Sequence, residues 1–456
     1  MVAQPVATLP ARRGSAVTDP TAELVTALLR ERLDSGLECI GLERSTTGNA
    51  QEIWLVDARG ADGSERPLVI RRSAAAGTVE ETRRDHEYAV LRAIEGSGLP
   101  VPRVYWVEDA GSALGRPYLV MERMPGSPPG RLGEAARASV ARQIGEWLAR
   151  LHALEVEPPE GLGVAADAAD ATRAELARWH GLYERRRRSP VPILGGLFAW
   201  LERRVPGGGA ATRLLWGDAS PFNVLVERDR VTALLDWEFA HVGDPLEDLG
   251  VAVWSCLDLY DPAEVVAGYE AEAGPVDRAA LRWFEVFAAV TRAVIVLGGT
   301  AAFLDGEPSP RLAALGQELL LDSLARGAAA AGWVEGIPAR TSRSRLRPNV
   351  AETIAGVADF LDGHAASIAE PRLRRELRTA VALLDATVRR VGDETDDTSA
   401  LEEALVRAER EDSSDGDAPL RAEALADLKA QQELVEPLAR LRRGERRLPG
   451  GAMSGV

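Results

Sequence analysis

The sequence predicts an α+β chain of two lobes followed by an all-helical appendage. Three observations carry that prediction. Residues 37–126 show short apolar runs and Gly/Asp-rich turns, as expected of strands around one helix. Residues 131–205 and 246–330 have helical spacing on either side of a second group of short strands. Beyond residue 335 the texture changes to polar breaks between amphipathic helical stretches. At 456 residues the chain has room for two or three structural units. The divisions read from it are a flexible 1–17, a small lobe 18–126, a large lobe 127–335 and an appendage 340–456.

The elements follow in order. Asp19-Pro20 reads as an N-cap and first helical proline ahead of the stripe Leu24, Val25, Leu28, Leu29. Runs 52–56 and 68–72 flank a turn over 57–66, a hairpin signal. Residues 80–94 have helical spacing, with Tyr88, Leu91 and Ile94 on one face. Runs 104–107 and 118–121 are two more strands, and Gly126, Pro128, Pro129 and Gly130 break the chain after them. Short strands return at 214–216, 224–226 and 231–235. In the last quarter, 341–347 reads as a linker, 350–391 as helix broken at Pro371, and 420–441 as a final amphipathic helix.

Charge and residue usage narrow the function. A formal net charge of -16 and a pI near 5.0 argue against a general nucleic-acid binder, which carries a basic footprint. Lys429 is the only lysine, so a Walker A phosphate loop, which needs its Lys, is excluded. Cys39 and Cys256 are expected as buried free thiols. Residues 1–17 lack a signal-peptide apolar core, and no segment has 18 consecutive apolar residues. The expectation is a cytoplasmic protein without membrane or nucleic-acid partners.

The chemistry concentrates in residues 214–250, LLWGDASPFNVLVERDRVTALLDWEFAHVGDPLEDLG. A strand ends at Trp216, Gly217 permits a tight turn, and Asp218 follows at the exposed strand end. Four residues separate Asp218 from Asn223. A hairpin turning at Arg228-Asp229 then brings Asp236 back beside Asn223. Phosphoryl transfer needs a carboxylate to orient and deprotonate the attacking hydroxyl. It also needs an amide oxygen and a second carboxylate to hold Mg²⁺ on the phosphates. The spacing D-x-x-x-x-N alone is weak; with the hairpin and the strand-terminal Asp it is specific.

These residues resemble the aminoglycoside phosphotransferase family, the kinase-like group that includes choline and homoserine kinases. Within it they are similar to a bacterial branch related to the kinase domains associated with acyl-CoA dehydrogenases. Gly217-Asp218, Asn223, Asp236-Trp237-Glu238, Gly243-Asp244-Pro245 and Asp248-Leu249 match that pattern, and the match covers about 37–330. The resemblance implies a protein-kinase-like two-lobed fold with ATP and Mg²⁺ between the lobes. It implies Asp218 as base, Asn223 and Asp236 as metal ligands and part of the nucleotide site, and Arg71 with Glu87 as phosphate-holding cation and helical partner. Arg72 stays open as an alternative to Arg71. By the same resemblance, residues 45–49 could cover the phosphates and the backbone of 121–124 could meet adenine. One departure is Trp216, where the family usually has His; an indole can brace the loop but cannot accept a proton.

Other positions receive plainer readings. Asp244, Pro245 and Glu247 suit the N-cap, N1 and N3 of a helix. Asp248 is expected to brace the catalytic loop, His152 to pack within its helix, and Trp283, Phe284 and Phe287 to form core. Glu238 could touch the metal or brace a ligand, and the role of His241 is open. Arg292 is a candidate for an anion on the substrate. Arg185–Arg188 reads as a solvated helix end or as a contact to an anionic acceptor such as coenzyme A phosphates. The branch resemblance implies a hydroxyacyl-CoA or related small-molecule hydroxyl acceptor. An aminoglycoside acceptor and a nucleotide-binding pseudokinase scaffold are the alternatives. Residues 348–391 resemble a helical domain of unknown function. The faces Val357, Phe360, Leu361 and Leu425, Leu428, Val435 must be buried: on the large lobe, against a second chain in a homodimer, or on a partner enzyme of acyl-CoA metabolism.

Overall fold

The computed structural model describes residues 19–333, apart from 46–50, 74–83, 305–309 and several shorter stretches, and part of 406–428. The chain forms two compact units. The first comprises residues up to 75, 83–88 and 102–123; the second comprises 76–82, 89–101 and the chain from 124 onward.

Helix α1 (Ala22–Arg32) precedes β1 (Glu38–Arg44), β2 (Gln51–Arg59), β3 (Glu65–Ser73), α2 (Arg84–Ala93), β4 (Val104–Glu108) and β5 (Tyr118–Glu122); of these, α2 starts in the first unit and ends in the second, and the others lie in the first. The strands form one antiparallel sheet in the order β1-β2-β3-β5-β4. Val25, Leu28 and Leu29 of α1 share a buried cluster with Val56, Leu68, Ile70, Trp106 and Val120. The α1 cap is Thr21, whose side chain accepts from Leu24 N at 3.3 Å. Asp19 does not cap; its carboxylate lies 3.4 Å from Arg72 Nη2. The β2–β3 hairpin is longer than the apolar runs suggest, because Asp57 pairs with Pro67 and Arg59 with Glu65. Pairing needs backbone groups, and polar side chains can occupy the outward positions. β1 was missed for a related reason: Gly41, Glu43 and Arg44 break its apolar alternation.

Helix α2 departs from its expected face. Arg84, Glu87, Val90, Leu91 and Ile94 are buried, whereas Tyr88 is half-buried. Two charged residues therefore lie on the inward side.

The second unit is mainly helical. It contains α3 (Glu134–His152), α4 (Ala168–Arg186), α5 (Pro192–Arg203), β6 (Arg213–Leu215), β7 (Val224–Glu227), β8 (Arg230–Leu234), β9 (His241–Gly243), α6 (Pro245–Trp254), α7 (Pro262–Ala273), α8 (Arg278–Leu304) and α9 (Pro310–Ala330). β7 and β8 form a hairpin, and β6 pairs with β9. Helices α3 and α7 meet at glycines: a Cβ on Gly145 would lie 1.9 Å from Val265 O, and one on Gly268 2.0 Å from Arg142 O. Helix α8 is apolar enough in composition to cross a membrane over Arg278–Ala301, yet 72% of that window is buried. It is a core helix, with Trp283, Phe284 and Phe287 packed ring against ring.

Ala424, Leu425 and Leu428 belong to the same buried cluster as Leu320, Leu324 and Trp333. The Arg421 guanidinium lies 5.4 Å from the Trp333 ring centre. Packing on the large unit thus buries part of the last amphipathic face. The expected linker at 341–347 and the helical stretch 350–391, with Val357, Phe360, Leu361 and Pro371, lie outside the described residues, as does Val435.

Candidate active site

The loop that follows β6 is fixed by one buried carboxylate. After β6, the backbone N–H groups of Trp216 and Gly217 donate to Asp248 Oδ2 and Oδ1 at 2.7 and 2.8 Å. Asp248 is fully buried on the first turn of α6, and its Oδ2 also lies 3.0 Å from His152 Nε2. His152 Nδ1 in turn meets the Tyr269 hydroxyl at 3.0 Å. Asp248 therefore braces the loop as expected, and His152 packs in its helix as part of that brace. Gly217 has φ 81°, and a Cβ there would lie 2.1 Å from Phe239 O, so only glycine fits.

This turn presents Asp218, whose side chain is 13% exposed. Ser220 then caps a short 3-10 turn, Pro221–Asn223, by accepting from Phe222 N at 3.3 Å. The turn brings Asn223 back onto Asp218: Nδ2 donates to Asp218 Oδ2 at 2.9 Å and to its backbone oxygen at 3.1 Å. With Nδ2 engaged in this way, the amide oxygen takes no part in these contacts.

Asp236 arrives through the hairpin. Arg228 turns it with φ 60°, and Leu235 N donates to Asn223 O at 2.8 Å. Asp236 itself has φ 64°, a left-handed conformation that Asp tolerates better than most residues. Trp216 Nε1 donates to Leu235 O at 2.9 Å and to Asp236 O at 3.2 Å, and its ring stacks on Trp237. Trp216 thereby ties the Asp218 loop to the backbone that carries Asp236.

Arg292, midway along α8, was expected to face a substrate anion. In the structure its Nη2 lies 2.5 Å from Asp218 Oδ1. Seventy-four residues separate the partners, and no local motif in the sequence signals the pair.

In the first unit, Arg71 pairs with Glu87, both buried. Arg84 Nη1 donates to the other Glu87 oxygen at 2.6 Å. Sequence reasoning missed Arg84; its i,i+3 spacing to Glu87 was the available signal. Arg72 serves elsewhere: Nε meets Glu52 Oε2 at 2.7 Å and Nη1 meets Leu114 O at 3.1 Å. Arg116 also binds Glu52, at 2.8 Å. The Glu87 partner is thus Arg71 rather than Arg72. Of residues 45–49, only Ser45 lies within the described residues.

A second charged cluster surrounds His241 on β9. Its Nε2 lies 3.3 Å from Glu247 Oε1, and its Nδ1 lies 3.0 Å from Phe239 O. Glu175 on α4 shares the cluster, gripped by Arg178 Nε and Nη2 at 2.9 and 2.6 Å and by Trp179 Nε1 at 2.8 Å. Burial disfavours a charged imidazole, but the Glu247 carboxylate, and then Glu175, outweigh it and push His241 up to about 10. Asp244 caps α6 by accepting from Leu246 N at 2.9 Å. Glu247 sits at N3 but pairs with His241 rather than completing a capping box. Arg185 and Arg186 end α4 and Arg187 and Arg188 follow it, all half-buried or exposed, with Arg187 Nη2 2.9 Å from Glu184. Cys39 and Cys256 are buried free thiols.

A phosphotransferase enzyme family model matches residues 50–284, about half of the chain. Mouse acyl-CoA dehydrogenase family member 10 is 26% identical over 266 residues, covering 56% of this chain and 24% of that protein. Human acyl-CoA dehydrogenase family member 11 is 30% identical over 175 residues, covering 36% and 22%. The chain thus spans under a quarter of the length of these relatives. Among solved structures, one from Ralstonia eutropha assigned to the aminoglycoside phosphotransferases aligns with TM-score 0.54 and 21% identity, covering 68% of this chain and 98% of that one. A thermostable mutant of aminoglycoside phosphotransferase APH(4)-Ia, in complex with AMP-PNP and hygromycin B, aligns with TM-score 0.51 and 19% identity, covering 68% and 99%. These likenesses show a shared kinase-like fold.

Proposed function

The chain belongs to the phosphotransferase enzyme family; from that premise we propose that it is a small-molecule phosphotransferase that moves the γ-phosphate of ATP to the hydroxyl of a hydroxyacyl-CoA or related hydroxy-acid thioester. The observation that carries the reaction is the convergence on Asp218. Its loop is clamped by Asp248, its carboxylate is held by Asn223 and Arg292, and Asp236 is delivered next to the same loop.

In this reading Asp218 accepts the hydroxyl proton as the acceptor oxygen attacks the γ-phosphorus. The bond from that phosphorus to the β–γ bridging oxygen breaks, and ADP leaves with the electron pair. An amide oxygen and a carboxylate are hard donors that suit Mg²⁺. Asn223 and Asp236 would hold the ion, which when bound neutralises charge on the phosphates. Arg71, oriented by Glu87, is the candidate cation for phosphate oxygens; its fork can serve a carboxylate and a phosphate together.

Two observations favour an acyl acceptor over an aminoglycoside. The matching curated relatives are named as acyl-CoA dehydrogenase family members. A guanidinium lies against the proposed base, where a polycationic acceptor would be repelled. A scaffold that had lost its chemistry would have no need of these contacts, yet Trp216 makes the bracing hydrogen bonds and Arg71 makes the Glu87 pair. The test is to incubate the protein with Mg·ATP and a panel of hydroxyacyl-CoAs, simple alcohols and aminoglycosides, following ADP release and product mass. The expected result is a phosphorylated hydroxyacyl product. Turnover with aminoglycosides alone would overturn the acceptor assignment.

A further inference from the structure

We propose that Arg292 is the residue that selects the acceptor: it recognises an acyl oxygen, carboxylate or thioester carbonyl, carried near the hydroxyl that is phosphorylated. The inference rests on the reading of Asp218 as the base and deepens it.

Arg292 Nη2 stands 2.5 Å from Asp218 Oδ1. A hydroxyl poised for deprotonation must hydrogen-bond the same carboxylate, at about 2.7 Å. The attacking oxygen therefore sits within roughly 5 Å of the guanidinium, whichever oxygen lone pair it takes on Oδ1. Nη2 is committed to Asp218, but a guanidinium carries five N–H donors and no acceptor. The atoms of the acceptor next to its hydroxyl thus face hydrogen-bond donors and positive charge. A methylene or an amine there leaves the donors unmatched or is repelled, whereas an acyl oxygen satisfies them. Arg292 is partly open, with 26% of its side chain exposed, so an acceptor can reach it.

The base is itself constrained by this arrangement. Asp218 Oδ2 takes Asn223 Nδ2 and Oδ1 takes Arg292. An acceptor whose acyl oxygen draws the guanidinium toward itself loosens the hold on Oδ1 as the hydroxyl docks. Recognition and release of the base then occur together, which an acceptor lacking that oxygen cannot bring about. A free carboxylate and a thioester carbonyl share this chemistry, and the carboxylate is the more strongly attracted by charge.

The experiment compares wild type, Arg292→Gln and Arg292→Lys on three matched acceptors of equal chain length: a hydroxy acid, its CoA thioester and the corresponding diol. Two readouts are taken: the ratio of kcat/KM for each acyl acceptor over the diol, and calorimetric affinity for each acceptor with the non-hydrolysable analogue AMP-PNP and Mg²⁺ present. The wild type is expected to favour an acyl acceptor. In Arg292→Gln the preference should collapse by roughly 10- to 100-fold, the scale of a hydrogen bond to a charged group, with the larger part in KM. Arg292→Lys should restore part of it for the hydroxy acid. Preference for the acid over the thioester would identify the carboxylate as the source, and the reverse the acyl carbonyl. An equal fall for acyl and diol acceptors, or unchanged acyl affinity in Arg292→Gln, would overturn the inference and leave Asp218 as base untouched. Absence of phosphoryl transfer from wild type to every acceptor would instead count against the proposed reaction, and the calorimetric comparison would still decide the role of Arg292.

Discussion

The Trp216 indole donates from Nε1 to the backbone oxygens of Leu235 and Asp236, at 2.9 and 3.2 Å. One side chain thus links the turn that presents Asp218 to the strand end that presents Asp236. The family resemblance raises a doubt about an indole at a position that usually holds His, and the hydrogen bonds answer it in physical terms. The bracing function needs a donor, and the indole has one. Trp216→Phe keeps the aromatic stacking on Trp237 and deletes only the donor. Two carbonyls then lose their partner, at about 1 kcal/mol each. The expected outcome is a folded protein with turnover lowered by about ten-fold or more, read in steady-state ADP release. Wild-type turnover in this variant would show that the brace is dispensable.

The metal assignment predicts graded losses of nucleotide affinity. Asp236→Ala removes a carboxylate ligand and is expected to abolish Mg²⁺-dependent ATP binding. Asn223→Ala removes a neutral oxygen ligand, together with the hydrogen bond that orients Asp218, and should weaken binding less. Titration calorimetry with and without Mg²⁺ separates the two. Unchanged Mg·ATP affinity in Asp236→Ala would place the metal elsewhere.

How much of this was legible in the sequence depends on how far apart the partners lie. Asp218 and Asn223 meet within one turn, and the hairpin returns the chain to Asn223 at Leu235, next to Asp236, so spacing together with the hairpin signal conveyed this much. The Asp248 brace was legible because a capped helix start, Asp244-Pro245, fixes where that carboxylate begins. Arg71 and Glu87 came from the resemblance, since periodicity assigns charged residues to the outside and gave no reason to bury Arg84 and Glu87. β9 was missed because three residues, one of them glycine, show no alternation. Arg292 and the His241 cluster were illegible as contacts. The first joins α8 to the loop that carries Asp218, and the second gathers side chains from α4, β9 and α6, which only packing brings together.

The His241 cluster has a pH signature. The folded pKa is raised to about 10, above the ordinary imidazole value of about 6.5. The folded state therefore holds more protons than the unfolded state between those values. The stabilisation it confers is fully present below about pH 6.5 and is lost as pH rises toward 10. Urea-unfolding midpoints should fall across that window in wild type and fall less in His241→Gln. Parallel slopes in the two proteins would show that His241 is not held as an imidazolium by Glu247.

The central claim is that Asp218 is the base, and Asp218→Asn tests it most directly. The substitution keeps shape and hydrogen-bonding size but removes the group that accepts the hydroxyl proton. General-base assistance is worth typically about 10²–10⁴-fold. The measurement is kcat for phosphoryl transfer to the best acceptor, alongside Mg·ATP affinity and the unfolding midpoint of the same preparation. The account predicts a loss of kcat within that range, with nucleotide affinity close to wild type and a folded protein. Full transfer activity in a correctly folded Asp218→Asn protein would contradict it.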